Sequence, residues 1–216
     1  MLLGLALPAL GATVNYTLTA KNVRLAIGSG LTYAAWTYDG TVPGPVLRAR
    51  VGDTVNITLR NDTSISHGID IHAAQIAPDK HFVPQGNART VHYTFVPRVP
   101  GVFVYHCSAI PIVEHIANGM YGMMVVEPRG GWPDGPAREI SIVQGEWYGK
   151  PDKKGFVAGD SRAMLAEQPD FVVFNGAIDR YADHPIKVKT GRLVRVYFVN
   201  AGPNLMSTFH VIGSIF

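Results

Sequence analysis

The chain has 216 residues, of which 16% are charged, with 23 Gly, 15 Pro and a net charge of +3 at neutral pH. Its 19 Lys and Arg are scattered, Lys153-Lys154 being the densest pair, which excludes a nucleic-acid surface. A single Cys excludes an internal disulfide framework. Beyond the first residues no run approaches the roughly 18 to 20 apolar residues of a membrane-spanning helix.

Residues 1–12 are apolar and end in small side chains, and they read as part of a secretion signal without its positive flank. A periplasmic or otherwise extracytoplasmic location is therefore expected. Val14 to Ala26 and Thr32 to Tyr38 are strand-like, and the second run ends at the tight-turn pair Asp39-Gly40. Pro43-Gly44-Pro45 interrupts the chain, and Val46 to Val51 then leads to a Gly52-Asp53 turn. Val55 to Arg60 alternates apolar and polar with the period of a half-buried strand. Short strands separated by turn residues predict an all-β Greek-key sandwich.

The next segment, Ser66 to His72, carries His67, Asp70 and His72. On an extended chain Asp70 and His72 share a face and His67 takes the other. His106 and Cys107, as strand neighbours, must likewise point to opposite faces. His115 follows Cys107 by eight residues, Met120 comes five later, and the run Met123-Met124-Val125-Val126 closes a sheet. A thiolate, two imidazoles and a thioether form a blue-copper donor set, in which the second imidazole must come from elsewhere, and His67 is a candidate to join Cys107, His115 and Met120. That assignment leaves Asp70, His72 and His106 together as a second, open metal site. His81, His92 and His184 have no partner at a ligand spacing and read as structural or exposed; Met123, Met124, Met164 and Met206 read as core filling. Glu114 reads as a solvated carboxylate beside the loop.

Residues 129–137 have linker composition, Glu139 to Gly145 reads as a strand, and Ser161 to Glu167 as a short helix. A weak internal repeat then emerges. Phe174-Asn175-Gly176 echoes Tyr38-Asp39-Gly40, Thr190 to Asn200 echoes Val51 to Asn61, and His210 falls where His67 fell. The expected organisation is one sandwich over 13–128 and a second, incomplete copy over 138–216. Six residues follow His210, whereas the first copy continues for sixty after His67, so a fragment of a longer protein is expected.

Thr41-Val42-Pro43-Gly44-Pro45, His67-Gly68-Ile69-Asp70-Ile71-His72, Tyr105-His106-Cys107, His115 to Gly122 and Phe209 to Gly213 together resemble the copper-containing nitrite reductases. The step of eight from Cys107 to His115 is like the branch that includes the neisserial enzymes. The resemblance implies two cupredoxin domains per subunit in a homotrimer. It implies type 1 copper on His67, Cys107, His115 and Met120, and type 2 copper on His72 and His106, with a third ligand from a neighbouring subunit's second domain that is absent from this chain. Asp70 and His210 would be the catalytic proton carriers and would contact nitrite together with Ile212. A small redox protein, a cytochrome c or a cupredoxin, would donate the electron for reduction of nitrite to nitric oxide. Two alternatives remain: a laccase-like two-domain multicopper oxidase, which needs more imidazoles than these, and a type 1 copper electron carrier, which needs no second site.

Overall fold

Two sheets face each other across the first half of the chain in the computed structural model, which describes residues 11–76, 90–182 and 184–213. The expected signal segment, except Gly11 and Ala12, and His81 lie outside the described residues. Strand β1 (Thr13–Gly28) pairs in parallel with β4 (Thr54–Asn61) along its first part and antiparallel with β2 (Leu31–Tyr38) along its second. Its inward positions change parity to suit. Tyr16, Leu18 and Ala20 enter the core of the first half, whereas Val23, Leu25 and Ile27 enter a core shared with the second half. β6 (Thr90–Phe95) borders β4, and the short β10 (Phe156–Val157), from the second half, borders β2.

The opposing sheet has the order β3 (Leu47–Arg50), β8 (Tyr121–Glu127), β7 (Gly101–His106) and β5 (Asp70–Ile71). β8 is buried from Tyr121 to Val126, as a continuous apolar run covered on both faces should be. Met124 and Val126 face the first core, and Tyr121, Met123 and Val125 the shared one. Two expectations are corrected here. The stretch from Ser66 to His72 is a strand only at Asp70–Ile71, and His72 opens a 3-10 turn ending at Ala74. The loop after Cys107 contains a short helix, α1 (Ile112–Ala117), too brief to show a helical period in the sequence.

The second half forms a sheet in the order β11 (Phe171–Phe174), β9 (Arg138–Trp147) and β12 (Val194–Asn200). The expected repeat is visible in its pairing, because β12 lies parallel to β9 as β4 lies parallel to β1. Both echoed turns place two successive residues at positive φ, Asp39 and Gly40 at 57° and 80°, Asn175 and Gly176 at 49° and 78°. That is the backbone a tight type I′ hairpin requires. Even the loop clasp recurs. Asn61 Oδ1 accepts from Thr63 N at 3.0 Å and its amide donates to the Ile65 carbonyl at 2.7 Å; Asn200 does the same with Gly202 N and the Leu205 carbonyl at 3.0 and 2.7 Å.

One face of this sheet packs Val143, Val173, Tyr197 and Val199 against Tyr33, Tyr121 and Met123 of the first half, while Val172, Phe174 and Val196 on the other face are exposed. Glu139 reinforces the join by pairing with Arg48 and with Arg195 (3.1 Å) and accepting from Tyr197 Oη at 2.6 Å. The expected helix is α2 (Ser161–Leu165), capped by the Asp160 carboxylate, which accepts from Arg162 N and Ala163 N. Among the described residues no helix is long and apolar enough to cross a membrane.

Tyr105 holds the sheet at the point where the metal-binding candidates leave it. Its ring is fully buried opposite Gly122, and its hydroxyl donates to the Pro45 carbonyl at 2.7 Å. A Cβ on Gly122 would overlap the ring, which has no room to retreat. Gly122→Ala is therefore expected to destabilise the fold by roughly 1–3 kcal/mol through overpacking. A denaturant midpoint equal to the parent's would contradict this.

Candidate metal centres

Asp70 and His106 are direct cross-strand partners of β5 and β7, so their side chains stand on one face of the sheet. Cys107, the next residue, turns to the opposite side and is fully buried. One pair of neighbours therefore feeds two clusters, as parity requires.

The inner cluster contains His67, Cys107 and His115, all buried. The loop before β5 supplies His67 and α1 supplies His115. The two Nδ1 atoms lie 3.1 Å apart, and Cys107 Sγ is 3.3 Å from His115 Nδ1 and 3.8 Å from His67 Nδ1. An ion bonded at about 2.0–2.3 Å to nitrogen and sulfur in a trigonal set separates its ligands by roughly 3.5 Å, so the triangle fits a small metal ion. Met120 is fully buried in the same core. The backbone ties it in place, since Met120 N donates to the His115 carbonyl at 3.1 Å and Cys107 N to the Met120 carbonyl at 3.0 Å.

Burial sets the protonation states. It pushes the His67 imidazole down to about 4, with His115 assisting, and lowers His115 against the opposing pull of Glu114. Both rings are thus held neutral, the form that ligates metal. Burial raises the Cys107 thiol, and the backbone N–H groups of Gly68, Ala109 and Ser108 oppose it. Gly68 N donates toward Sγ at 3.4 Å. A thiolate on a metal would keep that donor. Tyr38 holds Gly68 from behind by donating to its carbonyl at 2.7 Å, and a Cβ at Gly68 would overlap Ser108 Oγ, which would have to turn aside to admit it.

The outer cluster contains Asp70, His72 and His106. His72 Nε2 and His106 Nε2 are 3.2 Å apart, and Asp70 Oδ2 lies 3.3 and 3.6 Å from them. His106 Nδ1 sits 2.9 Å from the Cys107 carbonyl, which accepts its proton and leaves Nε2 free to bind. Burial lowers His106, against the Cys107 carbonyl and Asp70. The His72 side chain is 49% exposed, whereas those of His106 and Asp70 are 13% and 16% exposed. The cluster is therefore open to small solutes from one side, as a catalytic metal site must be.

The remaining candidates lie apart from both clusters. His210 follows β12 in irregular backbone and lines a cleft with Phe174, Tyr181 and Phe198, and Ile212 is 92% exposed. Among the described residues the ionisable side chains within ion-pair distance of Asp70 are the two imidazoles, and His210 is not one of them. His92 shares a hydrogen bond with Thr58, and Glu114 accepts from Ser161 of α2 at 2.8 Å rather than being merely solvated.

Sequence reasoning misses Trp36. Its indole meets the His115 ring edge-on at 4.9 Å and the His67 ring at 5.9 Å, while its backbone N–H donates to the Asn118 carbonyl at 2.8 Å. The available signal is its spacing of two from Tyr38 on β2, which puts both aromatic rings on the core face below the loop.

A Greek-key sandwich with a buried His–Cys–His–Met set at one end is the architecture of the cupredoxin class, and the chain compares accordingly. The family model for multicopper oxidases matches residues 19–131. The chain is 41% identical, over 95% of its length, to the copper-containing nitrite reductase of Neisseria meningitidis serogroup A, and 30% identical over 93% to that of Alcaligenes faecalis. It covers 54% and 58% of those two proteins, and so spans about half the length of the curated relatives it matches. Among solved structures, the copper nitrite reductase of Nitrosomonas europaea superposes with a TM-score of 0.79 at 41% identity, over 89% of this chain and 69% of that one. The enzyme of Thermus scotoductus gives 0.82 at 36%, over 95% and 48%. The chain belongs to the multicopper oxidase family and, within it, to the copper-containing nitrite reductases. Copper is accordingly the metal that the donor sets are built for.

Proposed function

We propose that the full-length protein reduces nitrite to nitric oxide by one electron, with His67, Cys107, His115 and Met120 as the type 1 copper ligands and His72 and His106 as two of the type 2 ligands. The observation that carries this reading is the placement of two donor sets back to back on consecutive residues, His106 and Cys107. When bound, copper would carry the single electron at the first set and serve as a Lewis acid toward nitrite at the second.

Nitrite, one electron and two protons balance to nitric oxide and water. The chain's own groups supply the proton handling. Asp70 holds a carboxylate oxygen beside both Nε2 atoms, within reach of a small anion bound there. The hydrogen bond from His106 Nδ1 to the Cys107 carbonyl fixes the ring and gives a second, shorter link between the sets alongside the peptide bond. His210 and Ile212 would act from a neighbouring copy, since among the described residues the ion-pair partners of Asp70 within this chain are His72 and His106. A homotrimer that brings a third ligand to His72 and His106, a cytochrome c or cupredoxin donor, and a periplasmic role in denitrification complete the proposal.

The rival readings are weaker on specific grounds. A laccase-like oxidase needs imidazoles on both sides of its Cys, and here Ser108 follows Cys107 with its hydroxyl buried and unpartnered. A simple electron carrier leaves Asp70, His72 and His106 unexplained. Copper analysis of the full-length protein separates the three. About two ions per subunit with nitrite-dependent nitric oxide release is expected; about four would indicate an oxidase and one a carrier.

A further inference from the structure

Glu146, near the end of β9, is fully buried, and no cation stands beside it among the described residues. A buried carboxylate is costly unless its oxygens are satisfied. Here Oε1 accepts from Leu205 N at 2.7 Å, Oε2 accepts from Asn204 N at 3.1 Å, and the Tyr148 hydroxyl donates to Oε2 as well. The Asn204 side chain closes the cluster by donating to Tyr148 Oη at 2.7 Å and to the Met164 carbonyl of α2 at 2.8 Å. Asn200 ties the other end of the same turn to Gly202 N and the Leu205 carbonyl.

The internal repeat shows what this cluster adds. In the first copy the chain runs from Asn61 to His67 in six residues, held by the Asn61 clasp and by the Thr63 hydroxyl, which accepts from Ile65 N, and the position equivalent to Glu146 is Asn22, which is exposed. In the second copy the interval from Asn200 to His210 is ten residues. The longer loop keeps the Asn clasp and gains a buried carboxylate that grips two consecutive amides. The fold type does not require that carboxylate, because the first copy closes without one.

We infer that Glu146 is a positioning residue for His210: by clamping the amides of Asn204 and Leu205 it sets the direction in which the segment carrying His210 leaves the domain. The inference rests on the reading of His210 as a proton donor to the nitrite site of a neighbouring copy. Gln at position 146 keeps the volume but has one accepting oxygen, so one of the two amides loses its partner and the turn loosens.

The test uses the copper-loaded, full-length protein. Glu146→Gln is expected to keep the visible type 1 absorption, to lower kcat for nitrite by about tenfold to a hundredfold through misplacement, and to shift its pH profile. Placed on a His210→Gln background it is expected to cause no further loss, because the two changes disable one device. Parent-like kcat and pH profile in Glu146→Gln, or the same fractional loss with and without His210, would overturn the inference. Unchanged turnover in His210→Gln alone would remove the proton-donor reading and this inference with it; a silent Glu146 arm beside a damaging His210 arm would remove the inference only. Should Glu146→Gln not fold, Tyr148→Phe, which removes the hydroxyl that donates to Glu146 and accepts from the Asn204 side chain, decides by the same cycle and by amide exchange over residues 202–212. Faster exchange there by about tenfold supports the clamp, and parent-like exchange refutes it.

Discussion

Replacement of Cys107 by Ser in the full-length protein is expected to abolish the visible absorption and to reduce nitrite turnover to background, while the chain still folds. The visible band of a blue-copper site arises from a thiolate bonded to the metal, and a Ser hydroxyl at neutral pH is neither soft nor ionised. The fold survives because the site makes few demands on the sulfur. Cys107 is fully buried, Ser is smaller, and Gly68 N remains as a donor to the new oxygen. The cost of burying that hydroxyl is about 1–3 kcal/mol, below the stability of an ordinary domain. Visible spectroscopy, copper analysis and a denaturation curve read the three parts separately. Retention of the band in a folded Cys107→Ser protein would place the type 1 copper elsewhere.

Asp70→Asn is expected to produce the converse phenotype, an unchanged visible band with kcat lowered about 10²- to 10⁴-fold, the range typical of losing a positioned proton-transfer group. The geometry explains the separation. Asp70 is the cross-strand partner of His106 and faces away from the pocket that holds Cys107, so the inner triangle of His67, Cys107 and His115 does not feel the change. Asn is nearly isosteric with Asp but neutral and unable to carry a proton, and the second copper is expected to stay bound through the imidazoles. Turnover matching the parent across the pH range, with both ions present, would remove Asp70 from the reaction.

Much of the site is legible in the residues alone. The single Cys beside His106, with His115 and Met120 at fixed steps, announces a soft-donor site because no other arrangement of residues in the chain concentrates those ligand types. Parity then assigns the neighbours to separate faces, and the sheet obeys it at Asp70, His106 and Cys107. The repeat is readable as well, down to the paired positive-φ turns at Asp39-Gly40 and Asn175-Gly176. What parity supplies for the wrong reason is His72. Alternation assigns it to the face of Asp70 as a strand residue, yet it reaches that face from the first residue of a 3-10 turn. The strand pairs for only two residues before the backbone curls, and a local pattern so short carries no signal of where it ends.

The sequence by itself determined the donor types, the strand alternation that sends Cys107 and His106 apart, and the two-copy plan, because each is a property of residue identity and short-range spacing. Only the tertiary structure decided that Trp36 lies against both imidazoles, that Gly68 donates to the sulfur, that Glu146 grips the amides of Asn204 and Leu205, and that Asp70 lies within reach of both His72 and His106. Those contacts join residues far apart in the chain, and their partners are chosen by how the sheets stack and how the loops close. Spacing along the sequence does not encode that information.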